Sequence, residues 1–249
     1  MTLRLLPFLL LVLLAIPASA GAAEAPPLRP AGDEGPLGNE RLSNETTITR
    51  WAHTNLIGPV RSQPTKSSKT VGRLRWNTED GVPEVYLVLQ SRLDERERPW
   101  LQIRVPARPN GRVGWVREQQ LSNLKTIQTH LTIARGKLKA TLRKNGKTIW
   151  TSRIGIGKAG TVTPAGRFWI RERLSNLRGS PVYGPWAFGT SAYSDTLTDW
   201  PGGGVIGIHG TNQPELIPGR PSHGCVRVPN AAINKLAKLM PVGTPLRIS

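Results

Sequence analysis

Two histidines and the single cysteine of the chain fall close together near its C-terminal end. His209, His223 and Cys225 lie within seventeen positions, in the sequence VIGIHGTNQPELIPGRPSHGCVRVPN from 205 to 230. A thiol attacks only as its thiolate, and a free thiol has a pKa of about 8.5, so a neighbouring base must take the proton at neutral pH. An imidazole can be that base. The stretch therefore predicts that Cys225 is a nucleophile and that one of the two histidines activates it.

The residues around the cysteine suit a rigid active-site loop. Gly and Pro residues on both sides predict loops that hold polar side chains at a rim between apolar strands. Gly224 allows the backbone to turn sharply, so that amide groups near Cys225 can face a developing oxyanion. Ser222 is a turn residue whose hydroxyl can bond the backbone and so support the site.

Residue patterns in the chain also fit two other kinds of site, a zinc site and a nucleotide-binding site. A catalytic zinc ion needs three ligands, and His209, His223 and Cys225 could supply them. However, His223 and Cys225 are only two positions apart and no carboxylate stands nearby to orient a ligand, so we predict no metal. The string GIGKAG at 155–160 fits a nucleotide-binding pattern, but Pro164 and Gly166 follow it where a helix would be needed. We therefore predict no nucleotide cofactor.

The motif at the cysteine resembles the signature of a known family. His209, fifteen intervening residues and then SHGCVR at 222–227 are similar to the L,D-transpeptidase, or YkuD, family. A second block, TPAGRF at 163–168, is similar to the family's T-P-x-G-x-F sequence. The resemblance covers roughly residues 125–249. It favours a catalytic role for His209 over the alternative of a core histidine on the strand that precedes it.

The resemblance implies a defined reaction without a cofactor. Cys225 would attack the carbonyl of the third residue of a peptidoglycan stem tetrapeptide, release the terminal D-alanine and form a thioester. His209 would take the thiol proton and later deprotonate the incoming amine of a neighbouring stem, which gives a 3→3 cross-link. Water as the acceptor would make the enzyme an L,D-carboxypeptidase instead. A non-catalytic wall-binding protein is the remaining alternative.

The resemblance also assigns the supporting residues. The backbone amides of His223, Gly224 and Cys225 would form an oxyanion hole, and Arg227 would hold a substrate carboxylate through a two-pronged bond. The group that orients His209 stays open, although a backbone carbonyl would suffice. The mixture of Gly, Pro and aromatic residues at 183–199 is a candidate flap over the cleft.

The N-terminal end predicts export. Residues 1–20 combine Arg4, an apolar run and the small residues of Ala18-Ser19-Ala20, which is typical of a cleaved signal peptide. The apolar run is shorter than the roughly 20 residues of a membrane-spanning helix, so no stable span is expected. Residues 21–49 are rich in Ala, Pro, Gly and Glu and predict a flexible linker. We expect the protein in the cell wall or the periplasm.

The remaining chain predicts two mainly β modules. Short β-type runs and turn signals over residues 50–122 resemble a bacterial SH3-like domain and predict a small β-barrel. Residues 123–249 would be the catalytic domain, a YkuD-type β-sandwich with one short C-terminal helix. That helix is predicted from Ile233, Leu236, Ala237 and Met240, which lie on one helical face, with Asn230 as its cap.

The charge and the cysteine content constrain the partners. The formal net charge is +18, with 34 Lys and Arg against 16 Asp and Glu. A field of this strength attracts polyanions. For an exported chain with scattered basic residues we expect anionic cell-wall polymers beside the stem peptides, and no nucleic acid. A single cysteine excludes an intramolecular disulfide. The oligomeric state stays open.

Overall fold

A computed structural model describes residues 25–198 and 203–249. The predicted signal segment, 1–20, lies outside these residues. The described chain is mainly β, as predicted, and its strands form two sheets that follow one another along the sequence. The strands of the first sheet are β1 (Glu40–Arg41), β2 (Thr49–Ala52), β3 (Pro59–Arg61), β4 (Thr70–Arg73), β5 (Tyr86–Leu93), β6 (Pro99–Arg104), β7 (Val113–Arg117) and β8 (Lys125–Ile127).

The first sheet is antiparallel, with strand order β4-β3-β7-β6-β5-β2-β8 and with β1 paired to β5. β6 and β7 form a hairpin whose connection contains Asn110-Gly111, and Gly111 takes a positive φ of 87°, which favours glycine. The inward-facing side chains of the first sheet form a separate core, in which Tyr86, Leu101 and Ile103 are fully buried. β8 belongs to this sheet because it pairs with β2, so the two sheets divide near residue 128.

The stretch predicted to be a flexible linker is structured over its described part. Arg29 is only 6% exposed; it binds the Glu40 carboxylate at 2.7 Å and the carbonyls of Gly35 and Pro36. Arg50 reaches back to the carbonyls of Pro30 and Leu42. The linker prediction was wrong here because it counted bulky apolar residues, whereas this segment is held by arginines that bond backbone carbonyls.

The second sheet has ten strands in the order β11-β10-β9-β18-β13-β14-β15-β17-β12-β16. Its strands are β9 (Thr129–Ala134), β10 (Lys139–Lys144), β11 (Lys147–Arg153), β12 (Gly155–Gly157), β13 (Gly166–Ser175), β14 (Trp186–Tyr193), β15 (Val205–His209), β16 (Gly219–Ser222), β17 (Val226–Arg227) and β18 (Pro245–Ile248). β9 alternates between buried and half-buried side chains along its whole length, the pattern of a strand with one face on a core.

β13 divides the second sheet into two halves. Its first residues, up to Trp169, pair with β18, and the residues from Ile170 on pair with β14, with a register irregularity between Ile170 and Glu172. Side chains from both halves, such as Leu131 on β9 and Phe188 on β14, contribute to one apolar core. Two half-sheets around one core agree with the predicted sandwich-like catalytic module. The connection from β12 to β13, which lies within the described residues, contains no helix of the kind that a nucleotide-binding loop precedes.

The α-helix α1 (Asn230–Leu239) packs its predicted apolar face on this core. Asn230 is not its cap as predicted. Pro229 occupies the cap position, and the Asn230 side chain accepts a hydrogen bond from the Thr211 amide at 2.9 Å. No helix among the described residues is long and apolar enough to cross a membrane.

The two sheets dock through a buried interface. Trp169 of β13 donates its indole N–H to the Val85 carbonyl at 2.7 Å and packs in a small apolar cluster with Trp51. Beside it, Arg171 binds the Glu84 carboxylate through Nε at 2.7 Å, and both side chains are 0% exposed. The N-terminal sheet is therefore packed against the second sheet and is not tethered loosely to it.

Candidate active site

The floor of a cleft is one face of the β13–β14–β15–β17 sheet. Glu172 lies opposite Gly189, and Gly189 lies opposite Gly207. Ile208 pairs with Val226 in parallel, so that the same register places Cys225 beside Gly207. Directly paired residues project to the same face of a sheet. One row across the sheet therefore runs from a carboxylate, over two glycines, to the thiol.

A second row runs beside the first. It contains Leu174, Ala187, His209 and Arg227, paired strand by strand in that order. Each member is two positions from a member of the first row and therefore projects to the same face. Both rows line a cleft of about 270 Å³, whose wall also includes Tyr183.

The Cys225 thiol and the His209 imidazole both lie beside Gly207. The Gly207 amide N–H donates to the Cys225 Sγ at 3.3 Å. A methyl group placed on the Gly207 α-carbon would lie 3.8 Å from Sγ and 3.9 Å from the His209 Cδ2, the ring carbon next to Nε2. Both distances are ordinary van der Waals contacts, so the thiol and the imidazole flank the same position on the floor of the cleft.

The His209 ring is held in one orientation by the backbone carbonyl of the next residue, Gly210. Its Nδ1 lies 2.6 Å from the Gly210 carbonyl oxygen, so Nδ1 carries the hydrogen and Nε2 is left to accept a proton. The ring of Tyr183 packs edge-on against it at 5.1 Å between centroids. The carbonyl is the orienting group that the sequence left open.

The hydrogen bond from the Thr211 amide N–H to the Asn230 side chain fixes the backbone that follows His209. The Asn230 Oδ1 lies so close to Gly210 and Gly184 that a β-carbon on either would be 2.4 Å from it. Both glycines are therefore required by tight packing, and the loop that carries Tyr183 is pressed against the loop that carries the orienting carbonyl.

Burial keeps both reacting groups neutral. The His209 side chain is 4% exposed, and burial lowers its pKa to about 4, partly opposed by the Gly210 hydrogen bond and helped by the charge of Arg227. Burial raises the pKa of the Cys225 thiol, partly opposed by the Gly207 amide and by Arg227. At neutral pH the site therefore rests as thiol and imidazole, not as thiolate and imidazolium.

The turn that presents Cys225 is closed by two hydroxyl groups. Ser222 Oγ donates to the Cys225 carbonyl at 2.5 Å and accepts from the Gly224 amide at 3.2 Å. On the other side, the fully buried Thr163 donates to the Gly224 carbonyl at 2.7 Å and accepts from the Gly157 amide at 2.9 Å. Thr163 opens the TPAGRF block, so the structure shows how that block supports the turn that carries Cys225.

Comparison with known proteins agrees with this site. The family model described as the L,D-transpeptidase catalytic domain, YkuD, matches residues 129–248. The protein named "Putative L,D-transpeptidase YkuD" of Bacillus subtilis (strain 168) is 33% identical over 124 residues, which cover 50% of this chain and 68% of that protein. The chain belongs to the L,D-transpeptidase (YkuD) family. A Bacillus licheniformis protein of the same name is 30% identical over 129 residues, covering 52% of this chain and 70% of its own.

Solved L,D-transpeptidase structures also match. An Enterococcus faecium enzyme is 26% identical, with a TM-score of 0.39, over 49% of this chain and 50% of its own. A Mycobacterium smegmatis enzyme is 13% identical, with a TM-score of 0.42, over 80% of this chain and 99% of its own. The chain thus spans about half the length of the E. faecium enzyme.

The other residues of the L,D-transpeptidase signature are placed as follows. Arg227 lines the cleft, and its Nη1 donates to the Gln213 side chain at 2.8 Å. Its Nε is buried and has no hydrogen-bond partner among the described residues. His223 lines the cleft with an exposed side chain. The Gly224 amide, predicted as an oxyanion donor, is instead bonded to Ser222.

Two further expectations concern the surroundings of the site. The candidate flap at 183–199 includes β14, a strand between β13 and β15, so the flap prediction was wrong for 186–193; residue 199 lies outside the described residues. The mixture of aromatic and small side chains at 186–193 forms a strand and not a loop. In the described parts of the chain, no three His, Cys, Asp or Glu side chains are grouped so as to hold a metal ion.

The N-terminal module supplies one end of the cleft, which the sequence did not reveal. Thr78 donates its hydroxyl hydrogen to the Glu172 Oε2 at 2.7 Å, and Asp80 lines the same cleft. Both belong to the connection between β4 and β5, which the buried Arg171–Glu84 pair holds against β13. The site of this family member is therefore built by both modules.

Proposed function

We propose that the protein is a peptidoglycan L,D-transpeptidase that forms 3→3 cross-links through an acyl-enzyme on Cys225. The observation that carries the proposal is the pair of Cys225 and His209 over Gly207, in a cleft open to a peptide. Family membership supports the class of reaction. L,D-carboxypeptidase activity is the second candidate, because the same acyl-enzyme would yield it when water is the acceptor.

The first half of the reaction begins from the neutral pair. Sγ attacks the carbonyl carbon of the third stem residue while its proton passes to the free Nε2 of His209. The tetrahedral intermediate then collapses, the bond to the terminal D-alanine breaks, and His209 returns the proton to the leaving amine. The products are a thioester on Cys225 and free D-alanine.

The second half of the reaction reverses these roles. The amine of a neighbouring stem attacks the thioester carbonyl and gives its proton to His209, which transfers it to the departing Sγ. The products are the new amide bond and the free thiol. The low pKa of His209 suits both halves, because the imidazole must be unprotonated at the start of each.

Arg227 supports the binding of a peptide with a free carboxylate. Its Nε–H is buried without a partner, which costs free energy unless a ligand satisfies it. A carboxylate of the stem peptide, such as that of the terminal D-alanine, is the group that would accept from a guanidinium. Oxyanion stabilisation would then come from amides other than that of Gly224, those of His223 and Cys225.

We further propose that the protein acts outside the cytoplasm, in the cell wall or the periplasm. The signal-like sequence at 1–20 supports export, and the net charge of +18 supports contact with anionic wall polymers. The N-terminal sheet is proposed to be an SH3-like module, on the basis of its sequence pattern and its antiparallel strands.

The reaction is tested with a defined disaccharide tetrapeptide. Intact-mass analysis of the parent should show a thioester adduct that corresponds to the loss of one D-alanine, and product analysis should show a cross-linked dimer. Cys225→Ala should form neither. His209→Gln should lose acylation by about 100-fold or more, whereas His223→Gln should retain it if only the backbone of that residue serves the reaction.

The products also separate the candidate functions. A trimmed monomer without dimer would identify the carboxypeptidase. An unmodified Cys225 in the folded parent, after exposure both to the tetrapeptide and to a carbapenem, would refute the covalent mechanism. Binding to purified sacculi under those conditions would then favour the wall-binding alternative.

A further inference from the structure

The far end of the glycine row carries a carboxylate that the proposed reaction does not use. Glu172 is 3% exposed and lines the same cleft as Cys225. Its side chain leans towards the thiol. A β-carbon on Gly189, the next position in the row, would be 2.0 Å from the Glu172 Oε1. The carboxylate therefore lies above Gly189, where no side chain competes for the space.

The distance from this carboxylate to the nucleophile can be bounded. Gly189 and Gly207 are directly opposed, which separates their β-carbon positions by about 5 Å. Oε1 of Glu172 is 2.0 Å from the first position, and Sγ of Cys225 is 3.8 Å from the second. Adding both offsets to the spacing places Oε1 and Sγ within about 11 Å of each other.

The carboxylate lacks a cationic partner among the described residues. Thr78 is the residue that donates a hydrogen bond to it. The adjacent Arg171 projects to the opposite face of β13, where Glu84 and Glu79 bind it. Burial raises the pKa of Glu172, and the nearby charge of Asp80 raises it further. A buried carboxylate of this kind is stabilised when a cation binds beside it.

We propose that Glu172 is a specificity-determining residue that binds a protonated amine on the side chain of the acyl-donor residue, the residue whose carbonyl Cys225 attacks. This inference rests on the proposed function. Glu172 would then favour donor stems whose third-residue amine is free over stems in which that amine is already acylated.

Such a side chain is long enough to span the gap. An extended four-carbon side chain places its terminal nitrogen about 7 Å from the carbonyl carbon of the same residue. With a carbon–sulfur bond of about 2 Å at one end and an ammonium–carboxylate contact of about 2.8 Å at the other, its full reach is about 12 Å, which covers a separation of at most about 11 Å. The two glycines leave the floor flat beneath the methylene groups, and Leu174 and Ala187 of the neighbouring row provide an apolar side.

The test pairs one substitution with one change in the donor. The parent and Glu172→Gln are given two donor tetrapeptides, one with a free side-chain amine at the third residue and one with that amine acetylated. The rate of Cys225 acylation is measured as kcat/KM by the release of D-alanine. Glu118→Gln, which removes an exposed carboxylate from the N-terminal module, is the matched control. Thermal unfolding of all three proteins checks that they are folded.

The proposal predicts a specific pattern. The parent and Glu118→Gln should prefer the free amine by about tenfold or more, the range of a charge-assisted hydrogen bond. Glu172→Gln should lose this preference while acting on the acetylated donor at the parental rate within about threefold. An unchanged preference in Glu172→Gln, or an equal loss on both donors in the folded variant, would overturn the assignment. Failure of the parent to be acylated by either donor would instead refute the proposed function.

Discussion

The protonation of His209 should destabilise the folded protein in mild acid. In the unfolded chain this imidazole has its ordinary pKa of 6.5, whereas burial lowers the pKa to about 4 in the folded state. Between these values the unfolded chain binds a proton that the folded protein does not. Stability from this residue is therefore fully present above pH 6.5 and is lost as the pH falls towards 4.

The size of the effect follows from the two pKa values. Between pH 7 and pH 5 the difference in proton binding lowers the free energy of unfolding by about 2 kcal/mol, and below pH 4 the loss levels off at about 3 kcal/mol. The residue is 4% exposed, so solvent screening is small. A loss of this size is a large fraction of the total stability of an ordinary domain.

The assay compares the parent with His209→Gln, in which Gln can still donate to the Gly210 carbonyl. Urea unfolding at pH 7 and pH 5, followed by tryptophan fluorescence, gives four free energies of unfolding. Other acidic and basic groups affect both proteins equally, so the parent should lose about 2 kcal/mol more than the variant between the two pH values. A pH dependence that differs by less than about 0.5 kcal/mol would show that His209 is not buried as described.

Three further predictions address the supports of the site. Gly207→Ala should lower kcat/KM by about tenfold or more, because its methyl group fills the space between Sγ and the imidazole, while the melting temperature stays within a few degrees. Thr163→Val should cost about 2 kcal/mol or more in urea unfolding, since it leaves a buried amide and a buried carbonyl unpaired; Thr163→Ser should restore most of the loss. Arg171→Met should cost up to about 3 kcal/mol, because the buried Glu84 then keeps the more exposed Arg75 as its cationic partner, and adding Glu84→Gln should recover part of that cost if the pair is as buried as described.

The sequence predicted the parts of the site that are close in the chain or carried by a motif. The spacing of His209 and Cys225 selected the two residues that the structure brings together, and the hairpins and the last helix were predicted from turn residues and periodicity. Ser222 was expected to bond the backbone of its own turn, and it does so. These features depend on local chemistry, which a single sequence contains.

What the sequence did not reveal depends on register between distant strands. Glu172 reaches the cleft only because it lies opposite Gly189, and Gly189 lies opposite Gly207. No local pattern encodes such pairings, because a shift of one residue in any strand would turn these side chains to the other face. The role of Thr78 could not be predicted for a similar reason, because it is 94 residues from its hydrogen-bond partner in the sequence.

The buried ion pair between the modules is better explained by its effect on how the two modules are aligned than by a contribution to the free energy of unfolding. Burying Arg171 and Glu84 costs solvation free energy that their attraction only partly offsets, so apolar residues would hold the interface at least as well. Apolar surfaces, however, tolerate sliding, whereas the Nε and Nη2 of Arg171 reach both Glu84 and Glu79 in only one arrangement. That arrangement sets the connection between β4 and β5 so that Thr78 meets Glu172. The docking of the N-terminal module thus fixes the acidic end of the cleft relative to Cys225, and this makes the module part of the proposed substrate site.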